Sequence, residues 1–376
     1  MLQVAPRLEG GGVERVTLDT ARAVIAAGGR SLVASAGGRL EGELAAAGAE
    51  FVRLPVHTRN PLVIADNARR LEKLIGKEHV RLVHVRSRAP AFSAIRAARS
   101  AGIPVVATYH GIYQARSPLK RWYNAVMTRG DLTIANSTFT RDHIIAEHGL
   151  RSDRIAVAPE GIDTDIFDPA RVSAERMAVV RAAWGLDAGC QGPILLLAAR
   201  LTGWKGQRLM IETMSQLNQA PNATLILAGK AEKAGEIAAL RAAAERAGVG
   251  ERVRIVGAVD DMPAAYALAD LVVAPSTLPE SFGRGVAEAG AMARPVLASP
   301  LGGPAETIVH DRTGWLVPAG EVGAWARAID AALALGPDAR AGIGRAARDR
   351  VTEHYSLLAM AAATFAIYRR VLTARS

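Results

Sequence analysis

The sequence predicts an α/β protein of two domains, each a doubly wound parallel sheet. Three observations predict it. Short β-branched runs alternate with helix-patterned stretches along the chain, the order produced when helices cross over between parallel strands. Half of the residues are hydrophobic while only 5% are aromatic, which suits sheets and helices packed through aliphatic side chains. A length of 376 residues gives two domains of ordinary size with ample core.

The first strand is read at Leu2-Gln3-Val4-Ala5, followed by Gly10-Gly11-Gly12 and a helix from about Val13. Glycines at that place permit positive φ and close backbone approach to a ligand. The triplet lacks the full dinucleotide fingerprint, which needs an acid about 20 residues on at the end of a second strand. Strands are predicted at Ser31–Ala34, Phe51–Leu54 and Leu82–Val85, with helices at Leu40–Ala47, Pro61–Lys77 and Ala89–Gly102 between and after them. The Pro61–Lys77 helix is amphipathic, with Leu62, Ala65, Leu71, Leu74 and Ile75 inward and Arg69, Arg70 and Lys73 outward. Pro104–Tyr109 reads as the next strand and puts His110 at its carboxyl end, where open α/β sheets bind ligands. Strands at Leu132–Ser137 and Ile155–Ala158, with a helix through His148, complete the first sheet. The break at Pro159–Asp163 and Phe167-Asp168-Pro169 places the domain boundary near residue 170. The second domain, 171–356, opens on a helix at Ser173–Trp184. Its strands are predicted at Pro193–Ala198, Thr224–Ala228, Val253–Gly257, Leu271–Ala274 and Pro295–Ala298. Helices at Val322–Leu335, Ala339–His354 and Leu357–Leu372 end the chain.

Charge is uneven. The net charge is +10, yet Arg53–Arg129 alone carries fifteen Lys/Arg against Asp66, Glu72 and Glu78. Within it, residues 113–129 interleave Tyr113, Trp122 and Tyr123 with Arg116, Lys120, Arg121 and Arg129. Aromatic and basic residues so mixed suit an anionic membrane surface. They suit equally a surface helix that buries Trp122 and Val126 and turns its cations to water. No nucleic-acid-binding motif accompanies the charge, so nucleic acid is not an expected partner. Cys190 is the single cysteine, which excludes an internal disulfide framework and is compatible with a reducing compartment. No Cys/His cluster has zinc-ligand spacing and no Asp-x-Asp motif is present, so no metal is expected. No signal peptide is visible at the amino end. The longest apolar stretch, Leu357–Tyr368, has twelve residues, short of the about 20 that a membrane span needs.

The chemistry concentrates in residues 271–306. A buried strand runs into a Pro/Ser/Gly loop, then a small-residue helix from about Gly285, another strand, and Gly302-Gly303. That order gathers backbone N–H groups near one helix N-terminus, a site for anionic oxygens. Two acids punctuate it. Glu280 in the loop and Glu288 on the helix can accept hydrogen bonds from polyol hydroxyls, and the Ala and Gly around Glu288 leave no room for an ordinary charged face. Arg200 and Lys205, on the loop after Pro193–Ala198, are two cations able to hold a diphosphate and stabilise charge developing on it.

Pro275-Ser276, Glu280-Ser281-Phe282-Gly283, Glu288-Ala289, Pro295-Val296 and Gly302-Gly303 together resemble the donor-binding segment of retaining GT-B glycosyltransferases of family 4. Tyr109-His110-Gly111, the Arg200–Lys205 loop and Pro159-Glu160-Gly161-Ile162-Asp163 extend the resemblance over nearly the whole chain. Ser281 replaces the family's usual Gly, Ala293-Arg294 a Gly-containing pair, and Glu160 an Asn. The resemblance implies a GT-B enzyme with a cleft between an acceptor domain, 1–170, and a donor domain, 171–356, the helix at 357–376 packing back on the first. It implies that His110 and Glu280 contact the transferred sugar, that Glu288 lies near the nucleotide ribose, and that Arg200 and Lys205 hold the diphosphate. It also places Gly11, Gly12, Ser281, Phe282, Gly283 and Arg284 around the donor, with Gly229, Lys230 and Met262 bordering the base. The implied substrate is a UDP- or GDP-linked sugar, transferred with retention and without cofactor or metal. The basic segment, with Arg116, Lys120, Arg121 and Trp122, points to a lipid-linked or lipopolysaccharide-core acceptor at the cytoplasmic membrane face, and so to a peripheral cytoplasmic protein. Two alternatives stay open: a nucleotide-sugar epimerase of the same architecture, and a non-catalytic nucleic-acid binder.

Overall fold

The computed structural model describes residues 1–9, 11–186 and 192–374; Gly10 of the glycine triplet and Cys190 lie outside them. The chain divides into two compact units, Met1–Gly161 with the residues from Leu357 onward, and Ile162–Ser356. The division falls at Gly161/Ile162, before the Phe167-Asp168-Pro169 break.

In the first unit the elements run β1 (Leu2–Val4), α1 (Gly12–Ala26), β2 (Leu32–Ser35), α2 (Glu41–Ala46), β3 (Glu50–Arg53), α3 (Pro61–Lys77) and β4 (Val83–Val85). They continue through α4 (Arg88–Ser100), β5 (Val105–Tyr109), α5 (Pro118–Asn124), β6 (Leu132–Ala135), α6 (Thr138–His148) and β7 (Ile155–Val157). The seven strands form one sheet in the order β3-β2-β1-β4-β5-β6-β7, paired in parallel from Leu2↔Leu32 to Ala135↔Val157. The order reverses between β1 and β4, so the loops after those two strands part and leave a crevice at their carboxyl ends.

The second unit begins with α7 (Ala174–Ala183), β8 (Ile194–Ala198), α8 (Gln207–Met214), β9 (Thr224–Ala228) and α9 (Glu236–Arg246). β10 (Val253–Gly257), α10 (Met262–Leu268), β11 (Leu271–Ala274), α11 (Arg284–Ala291), β12 (Val296–Ala298) and α12 (Pro304–Thr307) follow. β13 (Trp315–Leu316), α13 (Val322–Ala334) and α14 (Pro337–His354) complete it. Its sheet order, β10-β9-β8-β11-β12-β13, reverses between β8 and β11. The final helix, α15 (Leu357–Thr373), belongs to the first unit. Ile367, Tyr368 and Val371 pack there with Val24, Val106, Leu132 and Ile134, and the Tyr368 hydroxyl lies 2.6 Å from Nδ1 of buried His84.

Each sheet is covered on both faces, which is why its strands read as unbroken aliphatic runs. Leu2, Val4, Val83, Val85, Val105 and Ala107 are fully buried in the first core; Leu195, Leu197, Leu225 and Leu227 are in the second. Caps set the helix starts. The Ser137 side chain accepts from Thr140 N at 3.0 Å to open α6, and Gly149 closes it at φ +63°.

Three expectations change. Leu62 is 81% exposed because it sits in the first turn of α3, before the helix reaches the sheet; the inward face begins at Ala68 and Leu71. The amphipathic stretch 113–129 is not one helix but α5 followed by a 3₁₀ turn, Ala125–Thr128. Within it Val126 is buried while Trp122 stays 53% exposed, so Asn124 at the end of the helix and the turn after it anchor the segment. β13, only two residues long, and the short helices α10 and α12 carry too little pattern to be read in advance.

Candidate functional site

The strand reversal in the second sheet puts the loop after β8 beside the loop after β11. Lys205 lies on the first and Glu280 on the second. Lys205 Nζ is 2.7 Å from Glu280 Oε2, with only 15% of each side chain exposed. Ser276 Oγ donates to the other carboxylate oxygen. The Lys205 ammonium also lies 4.4 Å from the Trp204 ring centroid, a cation–π contact. Two glycines make this approach possible. Gly206 has φ +79°, and a Cβ there would stand 2.1 Å from the Pro275 carbonyl oxygen. Gly302, at φ +86°, passes so close that a Cβ would stand 2.0 Å from the Glu280 carbonyl oxygen. Gly303 N donates to that carbonyl at 2.9 Å, and Glu280 N donates to Leu301 O at 3.0 Å. Glu280 is therefore fixed through backbone and side chain together, not a solvated loop acid.

Gly283, at φ +83°, precedes α11. On that helix Arg284 Nε donates to Glu288 Oε1 at 2.8 Å, and the Tyr266 hydroxyl donates to Glu288 Oε2 at 3.2 Å. Tyr266 is buried from α10; burial, and then the Glu288 charge, hold its phenol well above the usual tyrosine range, so it stays a donor. A recess lined by Lys205, Tyr266, Ser276, Glu280, Gly283 and Gly285 runs from Glu280 to Tyr266, the partner of Glu288.

Other expected residues sit differently. Arg200 is largely exposed and faces Glu232 at 3.4 Å, so the two loop cations do not point at one place as they stand. Phe282 is 3% exposed and its ring packs 5.8 Å from Tyr355; a core position leaves only its backbone for a ligand. Ser281 is half-buried beside it. Gly229 N donates to Gly257 O at 2.6 Å, tying the loops after β9 and β10, with Lys230 exposed on their edge. Met262 is partly buried against the core, at the first position of α10. Its helix is capped by Asp261, which Arg176 holds at 2.7 Å and 2.8 Å; that bidentate partner holds the Asp261 carboxyl below its usual range.

In the first unit Gly11 caps α1 at φ −76°, and neither Gly11 nor Gly12 takes a positive φ. Both are exposed, and a Cβ on Gly12 would meet nothing within 4 Å. The glycines leave the helix start uncovered rather than enabling a strained turn. His110 follows β5 with its side chain 3% exposed, Nδ1 lying 3.4 Å from Glu160 Oε1. Asn136 Nδ2 donates to the same oxygen at 3.0 Å, and Thr140 Oγ1 donates to Asn136 Oδ1 at 2.9 Å. Arg86, after β4, is 2% exposed. It donates to Gln3 Oε1 at 3.0 Å and 2.7 Å and to Thr20 Oγ1 at 2.6 Å. Burial pulls its guanidinium pKa down. Arg116, Lys120 and Trp122 are exposed, whereas Arg121 is tied to the Glu147 carbonyl at the end of α6, its Nε at 2.8 Å.

The sequence matches Glycosyltransferase Family 4 over residues 10–166 and Glycosyl transferases group 1 over residues 192–334. A crystal structure of a glycosyltransferase from Rickettsia africae ESF-5 superposes with a TM-score of 0.91 at 31% identity, covering 99% of this chain and 98% of that one. The chain belongs to the family 4, group 1 glycosyltransferases. Its two Rossmann-like parallel sheets are those of the GT-B fold. A D-inositol 3-phosphate glycosyltransferase from Mycobacterium sp. (strain JLS) is 32% identical over 216 residues, 56% of this chain and 47% of that protein. The chain thus spans about half the length of that curated relative. A GDP-mannose-dependent alpha-(1-6)-phosphatidylinositol monomannoside mannosyltransferase from Mycobacterium tuberculosis (strain H37Rv) is 29% identical over 82% of this chain and 80% of its own.

Among the described residues, no group of three or more His, Cys, Asp or Glu is placed to share a metal ion. None of its described helices is long and apolar enough to cross a membrane. Sequence reading missed Ser276 and Tyr266 as partners of the two acids, and Glu160 and Asn136 as partners of His110. Ser276 stood inside a noted motif and Glu160 was a noted departure, so both carried a signal. Tyr266 carried none, being placed only by the fold of α10.

Proposed function

We propose that the protein transfers a sugar from a UDP- or GDP-linked donor to an acceptor hydroxyl, with retention at the anomeric carbon and without a metal. The Lys205–Glu280 pair at the β8/β11 reversal carries the reading. It sets a cation and a hydroxyl acceptor side by side where a parallel sheet takes its ligands. In this reading the donor diphosphate takes Lys205 from Glu280, and Glu280 turns to sugar hydroxyls. Arg200, on the same loop as Lys205, turns its side chain from Glu232 to the phosphates. Glu288, held by Arg284 and Tyr266, accepts from ribose hydroxyls. As the anomeric C–O bond breaks, its electron pair goes to the diphosphate oxygen and Lys205 stabilises the charge. The leaving phosphate takes the proton of the acceptor oxygen as the new C–O bond forms on the same face.

Family membership supports the transfer, and the relative named for GDP-mannose supports including guanine donors. The excess of cations in the first unit supports an acceptor that is lipid-linked or carries a saccharide core, presented at the cytoplasmic membrane face. The test is a thermal-shift panel of UDP, GDP, ADP and their sugar conjugates, since a ligand bound only by the native state raises its stability. One base should shift the melting point by several degrees, and Lys205→Ala should abolish that shift. No shift with any nucleotide, or an undiminished shift in Lys205→Ala, would sink the reading.

A further inference from the structure

A groove of about 590 Å³ opens on the first unit between the start of α3, the exposed side of α4, and α5. That size is within the roughly 300–1,000 Å³ of small-molecule sites. Ile64, Phe92, Leu119 and Trp122 give it apolar walls. Among the described residues, its charged lining is Arg59, Arg96 and Lys120, all cations. Leu119 is 75% and Trp122 53% exposed, an unusual amount of large apolar surface to leave in water.

The groove is joined to His110 within the same unit. The Phe92 ring stacks against Tyr123 at 5.4 Å and Trp122 at 5.6 Å. Arg88 lies 5.6 Å from the Tyr123 ring and 3.9 Å from that of Tyr113. Tyr113 in turn packs 4.4 Å from Tyr109, the residue before His110. Packed rings and one guanidinium thus connect the wall of the groove to the strand end that bears His110.

We propose that the groove binds the hydrocarbon tail of an anionic amphiphile, its phosphate-type head group held by Arg59, Arg96 and Lys120, and that this amphiphile is the acceptor. The role as acceptor rests on the transferase reading; the binding does not. Apolar walls reject a free sugar phosphate, whose hydroxyls would lose hydrogen bonds there. Three cations with no carboxylate among the described lining residues select a negative head over a neutral one. Concavity distinguishes the groove from a surface that merely rests on a bilayer.

The test uses the full chain and alkyl phosphates below their micellar concentration, followed by calorimetry. Each fully buried methylene contributes up to a factor of about four in affinity, so dodecyl phosphate should bind at least tenfold tighter than butyl phosphate. It should also bind tighter than dodecyl maltoside, and inorganic phosphate should bind only feebly. Ile64→Trp or Ala65→Phe, which fill the groove, should erase the chain-length dependence while melting and nucleotide binding stay unchanged. Arg96→Gln with Lys120→Gln should erase the preference for the phosphate head. Equal binding of inorganic and dodecyl phosphate would overturn the proposal, as would chain-length dependence that survives both filling variants. Adsorption seen only on vesicles containing phosphatidylglycerol would mean a membrane-facing surface instead. Nucleotide binding on the same preparation separates the readings: alkyl phosphate bound without nucleotide removes the transferase reading and leaves the groove.

Discussion

Lys205 and Glu280 show how a fold converts two ordinary side chains into a site. Neither is deeply buried by its own loop; the reversal between β8 and β11 brings the loops together and shields both to 15% exposure. Removing one partner strands the other's charge in a poorly solvated place. Lys205→Ala should therefore cost about 2 kcal/mol of stability, less than a fully buried pair because some water remains. Lys205→Ala combined with Glu280→Gln should recover most of that loss in a melting experiment without recovering transfer. Non-additive stability with transfer still lost is the expected pattern, and additive stability losses would mean that the pair is not coupled. Both residues were legible in the sequence, because the motif around them is dense. Their contact was not, because it depends on the order of strands in the sheet. Arg200 illustrates the limit from the other side: five residues from Lys205, it nevertheless faces Glu232.

At the scale of elements, the decisive features are the turns that let one loop pass another. Gly206→Ala should force the loop after β8 off Pro275, adding a clash to the cost of a left-handed residue, about 2–4 kcal/mol in all. Donor binding should fall with it. Gly235→Ala makes the control, since Gly235 also precedes a helix at φ +83° but a Cβ there meets nothing within 4 Å. It should cost about 1 kcal/mol and leave nucleotide affinity intact. Loss of affinity in both, or in neither, would refute the close-approach argument. Strands and long helices were readable because aliphatic runs and the amphipathic repeat of α3 report burial directly. Leu62 misled because amphipathic pattern marks a face but not where along the helix the core begins. α5 and the 3₁₀ turn after it misled in the same way, the pattern of residues 113–129 being shared by two unlike elements.

Across the first unit as a whole, several histidines are held neutral. His84 is fully buried between Tyr368 and Thr108, 2.6 Å from each hydroxyl. Burial first, then the charges of Arg86 and His110, push its pKa well below the usual range. Burial also lowers those of His143 and His148. In the unfolded chain such groups take up a proton below about pH 6.5, which the native state resists. Stability is thus fully present above that pH and is lost as pH falls below it, by up to about 1.4 kcal/mol per pH unit for His84 alone. The melting point should drop between pH 6.5 and 5.5, and His84→Gln should flatten the drop; an unchanged slope in that variant would assign the effect elsewhere. None of this was legible in the sequence. His84 sits in an aliphatic run, and the chain that shuts it from water, α15, lies 284 residues away.

The self-closed pair in the second unit has a kinetic side. In the transfer proposed above, a nucleotide sugar would give Lys205 its phosphates and Glu280 its hydroxyls, so each half would trade one partner for another. Once the sugar had departed, the spent nucleotide would satisfy the lysine alone. Glu280 would then compete for its old partner from within the site, and reunion of the two side chains would help to drive the product out. On that reading the contact that looks like a lock on the protein would double as the spring that clears it between turnovers.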